Sequence, residues 1–290
     1  MDDLVAIRRW YAEDLRLRTP VRRNMAVIDA FAAVPREKFL GTGPWSIVPF
    51  SQPDQPFMTP DDAPRWLYHD VLVAIDPARS LNNGMPSFWA HNFDHLDLAR
   101  GERVLQVGAG TGYYSAILAE MVGPQGRVIA VEYDAELAAR ARTNVAPWSQ
   151  VEVVAGDGRG HDAGEVDAIV VFAGSTHPAP LWLDRLADGG RLIMPLTGSN
   201  WSGFMLRTAR SGVAFDAAAI SGVGIFPCMG GRDEEAGSRL ERMLTGVFRG
   251  RVMDIPIQAL HRGEPAAEDA DKVWYQAPGF WLERNAAADA

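Results

Sequence analysis

Cysteine is nearly absent from this sequence, because Cys228 is the only one among 290 residues. A single thiol cannot form a disulfide within the chain, and it cannot supply the several thiolates of a zinc finger. The sequence also lacks an apolar run of about 20 residues, the length that a helix needs to cross a bilayer. These absences exclude a disulfide-stapled secreted domain and a helical membrane protein, and they favour a cytoplasmic chain in a reducing compartment.

Clusters of basic residues are also missing. The chain has 28 Lys and Arg against 37 Asp and Glu, a net charge of −9 at pH 7. A protein that binds the phosphate backbone of nucleic acids needs a basic patch, so we expect no nucleic-acid partner. The amphipathic segment 2–17 mixes charged with apolar residues and is unlike a signal peptide, so we expect no membrane partner either.

Apolar strands alternate with helical patterns through the middle of the chain. The strand-like runs are 103–107, 127–132, 151–155, 166–172 and 191–195. This alternation predicts an α/β fold, a Rossmann-like doubly wound sheet that is mostly parallel. An antiparallel C-terminal strand pair is predicted beyond it, at 204–209 and 213–220.

The flanks of this core have their own patterns. Residues 2–17 predict a helix, and Thr19-Pro20 predicts the N-cap and first residue of a second one. Six prolines interrupt residues 41–66, which we interpret as an ordered loop pinned by aromatic side chains. We divide the chain into an N-terminal and substrate-side segment, a core and a C-terminal extension, at residues 1–100, 101–225 and 226–290.

A glycine-rich turn follows the first core strand. Gly108, Gly110 and Gly112 make a G-x-G-x-G pattern before a helical segment, an arrangement that points backbone N–H groups at a ligand. A dinucleotide-binding loop places its third glycine one position later, where Tyr113 stands. The spacing therefore favours an adenosyl ligand with a small zwitterionic head, S-adenosyl-L-methionine, and NAD is the alternative.

Other core strands end in residues that suit the same ligand. Glu132 ends the second strand, where a carboxylate can accept hydrogen bonds from both ribose hydroxyls. Asp157 ends the third and can accept from the adenine amino group, and Phe172 ends the fourth beside small residues that leave room for a sulfonium. The predicted cofactor-binding set is Gln106, Gly108, Gly110, Gly112, Tyr113, Glu132, Tyr133, Asp157, Gly158 and Phe172.

Several segments of the chain resemble the protein-L-isoaspartate O-methyltransferases. These are Pro35-Arg36-Glu37-Lys38-Phe39, 104–116, 128–132, Gly156-Asp157-Gly158 and 189–195. The resemblance covers about residues 20–225 and implies a class I S-adenosylmethionine-dependent methyltransferase. It also implies esterification of a carboxylate, which in that family is the free α-carboxylate of an isoaspartyl peptide.

The chain departs from the family at two positions. The family carries a serine beside the transferred methyl group, and alignment to Pro86 puts Gly84 in its place. The family's first core strand usually carries an acid where Gln106 stands, and that acid would contact the ammonium group of the cofactor. These departures leave the acceptor open among peptide, protein and small-molecule carboxylates.

The candidate acceptor residues follow from the chemistry of the nucleophile. A carboxylate with a pKa of about 4 is ionised at pH 7, so it needs donors that orient it and no general base. Asn82, Asn83 and the loop with His177 can supply them, and these three are the predicted catalytic residues. A hydroxyl acceptor would need a base, for which His177, His91 or His95 are candidates. His91 and His95 have no apparent third ligand, so we predict no metal site.

Two other functions stay open beside a carboxylate-directed methyltransferase. A catalytically silent S-adenosylmethionine-binding protein would explain the missing serine at Gly84. A hydroxyl-directed small-molecule O-methyltransferase would use one of the histidines as base. The sequence carries no signal for the oligomeric state.

Overall fold

The computed structural model describes residues 2–49, 52, 54–245 and 255–285. The chain forms two compact units, and the first comprises Met1–Glu102 and Ala109–Ala155. The second comprises Arg103–Gly108 and Gly156–Ala290. The chain thus passes from the second unit to the first inside the glycine-rich loop. The division at residues 100 and 225 stays a prediction, and the two units divide the chain at other points.

The first unit contains α-helices in both of its segments. They are Asp2–Arg18 (α1), Ala26–Ala33 (α2), Pro86–Leu96 (α3), Tyr113–Val122 (α4) and Ala135–Asn144 (α5). The predicted start of α2 at Thr19-Pro20 is wrong, because the helix begins at Ala26. The carboxylate of Asp94 accepts hydrogen bonds of 2.8 to 3.1 Å from the backbone N–H groups of residues 22–24. These bonds to a buried carboxylate hold the segment out of the helix.

A small antiparallel sheet occupies part of the segment that we interpreted as a loop. Its strands pair in the order β2-β1-β3-β4, with bounds Ser46–Val48 (β1), Phe57–Met58 (β2), Leu72–Asp76 (β3) and Leu81–Asn82 (β4). The loop interpretation is wrong for β1 and β2, which are too short to show a period of two. Trp45 is buried in the core of this sheet as expected, but Phe57 is 55% exposed. Residues 50, 51 and 53 lie outside the described residues.

The remaining strands carry the α/β core and the C-terminal part. They are Arg103–Val107 (β5), Arg127–Glu132 (β6), Val151–Ala155 (β7), Val166–Val171 (β8), Leu186–Thr197 (β9), Ser202–Ser211 (β10), Ala214–Gly224 (β11), Ile257–Arg262 (β12), Val273–Ala277 (β13) and Phe280–Arg284 (β14). In the first unit, β6 pairs in parallel with β7. In the second unit, the order is β5-β8-β9-β10-β11-β12-β14-β13, and the pairs within β5-β8-β9 are parallel.

The pairs from β9 to β13 are antiparallel, and β10 and β11 form the predicted antiparallel pair. Helices Pro180–Arg185 (α6) and Glu234–Leu244 (α7) belong to the second unit. The predicted α/β fold class, with a mostly parallel core and a helical N-terminus, is confirmed. In the described part of the chain, no helix has the length and apolar character needed to cross a membrane.

The C-terminal extension is joined to the end of β8. Three backbone hydrogen bonds of 2.7 to 2.9 Å connect residues 174–176 with residues 226–231. The extension then continues into α7 and adds β12, β13 and β14 to the sheet of the second unit. It therefore borders the loop that holds His177. Residues 246–254 and 286–290 of the extension lie outside the described residues.

Candidate functional site

Glu132 holds the part of the glycine loop that belongs to the first unit. Its side chain ends β6 and is 8% exposed, and one carboxylate oxygen accepts the N–H of Gly110 at 2.7 Å. The other oxygen accepts the N–H of Asp134 at 3.0 Å. Burial raises the pKa of Glu132, and these two hydrogen bonds partly oppose the rise. The backbone N–H of Tyr133 also interacts with this carboxylate, which offers about four acceptor positions, so at least one remains for a hydroxyl group of a ligand.

Two glycines of the loop meet different surroundings. Gly112 has a φ of +91° before α4, and a Cβ there would lie 2.8 Å from Cγ1 of Val145. A Cβ on Gly110 would meet no atom within 4 Å. Gly112 is therefore required for the packing of α4 against the end of α5. The backbone at Gly110 is open to a ligand.

The two tyrosines of the predicted set lie in opposite environments. Tyr113 is buried, its ring contacts those of Phe31 and Phe39 edge-on, and burial raises its pKa well above the ordinary value. Tyr133 is 60% exposed next to Glu132. The side chain of Tyr113 is thus part of the core, and a contribution of this residue to ligand binding would come from its backbone N–H. The ring of Tyr133 is available to cover a ligand.

The second unit holds the start of the loop. Gln106 is fully buried in β5, and its side-chain amide donates to the carbonyl oxygen of Gly108 at 3.3 Å. A Cβ on Gly108 would lie 3.1 Å from Cβ of Phe172, whose N–H donates to the carbonyl oxygen of Val107 at 2.8 Å. The loop start and the end of β8 are therefore packed closely, and the amide of Gln106 supports the loop backbone.

The turn Gly156-Asp157-Gly158 also belongs to the second unit. Asp157 is exposed, and one of its oxygens accepts the N–H of Arg159 at 2.9 Å. A Cβ on Gly158 would lie 2.7 Å from Cγ1 of Val107, and its carbonyl oxygen accepts the indole N–H of Trp182 at 2.9 Å. Gly158 is thus needed for packing, whereas the carboxylate of Asp157 can reach a ligand.

The two asparagines of the predicted acceptor site have different roles. Asn82 accepts the N–H of Gly84 on its side-chain oxygen at 2.9 Å and so closes the turn. Asn83 is 7% exposed, and its Nδ2 has no hydrogen-bond partner among the described residues. Buried polar groups in proteins are nearly always paired. The amide of Asn83 is therefore a donor that a ligand oxygen can occupy.

Gly84 is confined by aromatic side chains. It has a φ of +75°, and a Cβ there would lie 2.7 Å from Nε1 of Trp89 and 3.4 Å from Cε2 of Tyr114. The hydroxyl of Tyr114 donates to the carbonyl oxygen of Gly84 at 3.2 Å. The indole of Trp89 thus fills the position where the resemblance implies a serine side chain.

His177 is held in place by the side chain of Thr176. Its Nδ1 lies 2.9 Å from Oγ1 of Thr176, and that oxygen accepts the N–H of Asp233 at 2.9 Å. Burial and the charge of Arg159 lower the pKa of His177. Oγ1 of Thr176 also donates to the carbonyl oxygen of Gly231 at 3.4 Å. The tautomer decides which nitrogen of the neutral imidazole carries the proton and which one is an acceptor.

Two histidines on α3 lie outside the predicted set of catalytic residues. His91 and His95 are on α3 with ring centroids 4.7 Å apart, and the described residues contain no group of three or more His, Cys, Asp or Glu that could hold a metal. The sequence analysis missed Arg159, whose guanidinium lies 5.5 Å from the centroid of the Trp182 ring. Arg159 lies two residues after Asp157, in the turn that follows a strand, and this position in the sequence could have indicated it.

Comparison with known sequences finds one family. The family described as Protein-L-isoaspartate(D-aspartate) O-methyltransferase matches residues 14–214. A protein-L-isoaspartate O-methyltransferase of Ignicoccus hospitalis is 31% identical over 178 residues, which cover 60% of this chain and 74% of that protein. The family match spans most of the core and most of the N-terminal part.

Two solved structures share the fold. A protein-L-isoaspartate O-methyltransferase superimposes with a TM-score of 0.63 at 21% identity, over 97% of this chain and 88% of that one. A putative protein-L-isoaspartate O-methyltransferase from Plasmodium falciparum, in complex with S-adenosyl-L-homocysteine, gives 0.60 at 18% identity, over 76% and 97%. At these identities the similarity establishes the fold alone.

Proposed function

The chain belongs to the protein-L-isoaspartate(D-aspartate) O-methyltransferase family, and from this premise we propose that it esterifies a carboxylate with the methyl group of S-adenosylmethionine. The acceptor is a peptide, a protein or a small molecule. The observation that carries the proposal is the family match over residues 14–214, which includes every predicted cofactor-binding and catalytic residue. The acceptor position that remains on Glu132 supports it.

For the donor, each unit offers groups that fit a part of S-adenosylmethionine. In the first unit, Glu132 would accept the ribose hydroxyls, Tyr133 would cover them, and the open backbone at Gly110 would face the methionine portion. In the second unit, Asp157 would accept from the adenine amino group and Phe172 would line the site. The cofactor supplies an electrophilic methyl group on a sulfonium, which is already an excellent leaving group.

For the acceptor, the chain needs to orient a carboxylate that is ionised at pH 7. Asn83 presents an unpaired N–H donor for this purpose, and His177 is the other residue that we propose for it. Orientation alone is a large effect, because holding two reactants in line removes most of the entropic barrier. A general base has no role in this step.

A second candidate is a catalytically silent S-adenosylmethionine-binding protein, and the observation that favours it is Gly84. The indole of Trp89 occupies the space of a serine side chain, so that hydroxyl has no direct replacement at position 84. The buried amide of Asn83, one residue away, favours an active enzyme. A hydroxyl-directed enzyme would need one of His177, His91 or His95 as its base, and the lowered pKa of His177 keeps that imidazole neutral at pH 7.

The setting that we propose is the cytosol. Cys228 is buried, and burial raises the pKa of its thiol, so it stays protonated and unreactive in a reducing compartment. The net charge of −9 supports peptide or small-molecule partners in place of nucleic acids.

Calorimetric titration with S-adenosylhomocysteine tests the donor half of the proposal. Glu132→Ala and Asp157→Ala should each weaken binding by roughly 1–3 kcal/mol, the range expected for a lost hydrogen bond to a charged group. Asp162→Ala is the matched control, because Asp162 is exposed and pairs with Arg185 on the surface. Unchanged affinity in both test variants would remove the donor assignment. Tight binding without transfer to any acceptor would favour the silent candidate.

A further inference from the structure

Arg79 lies in the turn between β3 and β4, in the first unit, and the proposed reaction does not use it. Its Nε donates to one carboxylate oxygen of Asp76 at 2.6 Å, and the other oxygen accepts its backbone N–H at 3.3 Å. These two bonds fix the direction of the guanidinium. Nη1 is hydrogen-bonded to the carboxylate of Asp134, 55 positions further along the chain. One side chain thus joins the β3–β4 hairpin to the start of α5.

The contact joins one cation to two anions. Arg79 lowers the pKa of both Asp76 and Asp134, so both carboxylates are ionised at pH 7. A guanidinium suits this bridge, because its planar fork presents several N–H groups in fixed directions. The three side chains are partly exposed, and ion pairs in contact with water add little to the stability of a fold. The bridge therefore acts on the position of the hairpin more than on folding.

The Asp134 end of the bridge leads to the proposed donor site. Oδ1 of Asp134 accepts two backbone N–H groups in the first turn of α5, at 2.9 and 3.0 Å, and so caps the helix. The backbone N–H of Asp134 donates to Glu132 at 3.0 Å, and the other oxygen of Glu132 accepts the N–H of Gly110 at 2.7 Å. Hydrogen bonds thus connect Arg79 with the glycine loop through two carboxylates.

The hairpin end of the bridge leads to the proposed acceptor site. β4 pairs antiparallel with β3, with Asn82 opposite Ala74. The backbone N–H of Asn83 then donates to the carbonyl oxygen of Val73 at 2.8 Å, so the backbone of Asn83 belongs to the same hairpin. Any displacement of the hairpin therefore moves the buried amide of Asn83. The residues at both ends of the bridge belong to the first unit.

We propose that Arg79 is a positioning residue, which holds the hairpin that carries Asn83 at a fixed place relative to the donor residues around Glu132. This inference rests on the proposed function. Arg79 acts through Asp134 and through the hairpin backbone, and the result is that the acceptor carboxylate is oriented in line with the methyl group. Such alignment is sensitive, because a misplacement of about 1 Å can cost a reaction about 100-fold in rate.

Steady-state kinetics of methyl transfer to an isoaspartyl peptide test the proposal. Arg79→Gln should lower kcat about tenfold, a part of the cost of a 1 Å misplacement, and leave the KM for S-adenosylmethionine unchanged. The midpoint of urea denaturation should also stay the same, because the exposed ion pairs add little stability. Arg127→Gln is the matched control, since Arg127 is an exposed arginine of the same unit that pairs with Glu152 on another strand. Its kcat should equal that of the wild type.

Three kinetic results would overturn the proposal. The first is an equal kcat in Arg79→Gln and the wild type. The second is a loss of kcat together with a lower urea midpoint, which would give Arg79 a merely structural role. The third is a raised KM for S-adenosylmethionine at unchanged kcat, which would assign Arg79 to the binding of the donor.

Hydrogen exchange of the backbone amides of residues 72–83 tests the same bridge without turnover. In the absence of ligand, these amides should exchange faster in Arg79→Gln than in the wild type and Arg127→Gln. S-adenosylhomocysteine should slow their exchange in the wild type and not in Arg79→Gln. Equal rates in all three proteins would overturn the proposal. If the wild type neither binds this ligand nor labels an acceptor, the proposed function fails, while the rates without ligand still decide whether Arg79 holds the hairpin.

Discussion

Restoring a serine at position 84 should destabilise the protein and leave its activity no higher. The φ of Gly84 is +75°, a region in which side chains are strained, and a Cβ would lie 2.7 Å from Nε1 and 3.1 Å from Cδ1 of Trp89. The indole cannot move away easily, because Trp89 is buried and its ring contacts those of Phe93 and Tyr114. The serine would therefore meet both backbone strain and a filled space.

The magnitude follows from these two terms. A left-handed backbone costs a non-glycine residue about 1–2 kcal/mol, and overpacking of a buried side chain costs about 1–3 kcal/mol. We expect Gly84→Ser to lower the free energy of unfolding by about 2–5 kcal/mol. Urea denaturation followed by circular dichroism measures this change, provided that the slope of the transition is the same in both proteins.

Gly41→Ser is the matched control for the backbone term. Gly41 has a φ of +72°, and a Cβ there would meet no atom within 4 Å. This variant should lose only the cost of the left-handed backbone, about 1–2 kcal/mol. If Gly84→Ser costs no more than Gly41→Ser, or if it raises the rate of ester formation, the reasoning that Trp89 has taken the place of the serine side chain is refuted.

Two further predictions concern the acceptor and donor residues. Asn83→Ala should reduce kcat/KM for the acceptor about tenfold, which is the effect of one lost hydrogen bond. Its calorimetric affinity for S-adenosylhomocysteine should equal that of the wild type. A kcat/KM equal to that of the wild type would contradict the role of the Asn83 amide. The raised pKa of Glu132 means that the fold disfavours its charge, so the stability it contributes is present below the ordinary value of 4.5 and is lost as pH rises through the folded pKa. The thermal stability of Glu132→Gln should therefore improve relative to the wild type as the pH rises above 4.5. A gap that narrows with rising pH would contradict this sign.

Much of the core could be predicted from the sequence, and the reason is physical. The bounds of β5, β6 and β7 coincide with the predicted runs, because turn residues bound each run. β5 and β6 are largely buried apolar segments, as parallel strands inside a sheet are, whereas β7 is an edge strand and only partly buried. The start of α2 could not be predicted, because a carboxylate 70 or more residues away, on Asp94, holds the preceding backbone. The strands β1 and β2 were missed because two or three residues show no periodicity.

The candidate site could also be predicted from the sequence only in part. The position of Glu132 at a strand end was readable from the sequence, whereas its two backbone hydrogen bonds required the folded loop. The sequence places Asn82 and Asn83 side by side but cannot tell which one closes the turn and which one keeps an unpaired amide. Arg79 and Asp134 are 55 positions apart in the sequence, and only the folded chain brings them into contact.

Transfer of a labelled methyl group from S-adenosylmethionine to an isoaspartyl peptide tests the central claim most directly. The aspartyl isomer of the same peptide is the matched control, and succinate serves as a small-molecule acceptor. A carboxylate-directed enzyme is predicted to label the isoaspartyl peptide or succinate, in a form that mild alkali releases as methanol. Label that survives alkali, or no label in any of them while S-adenosylhomocysteine still binds, would contradict the account.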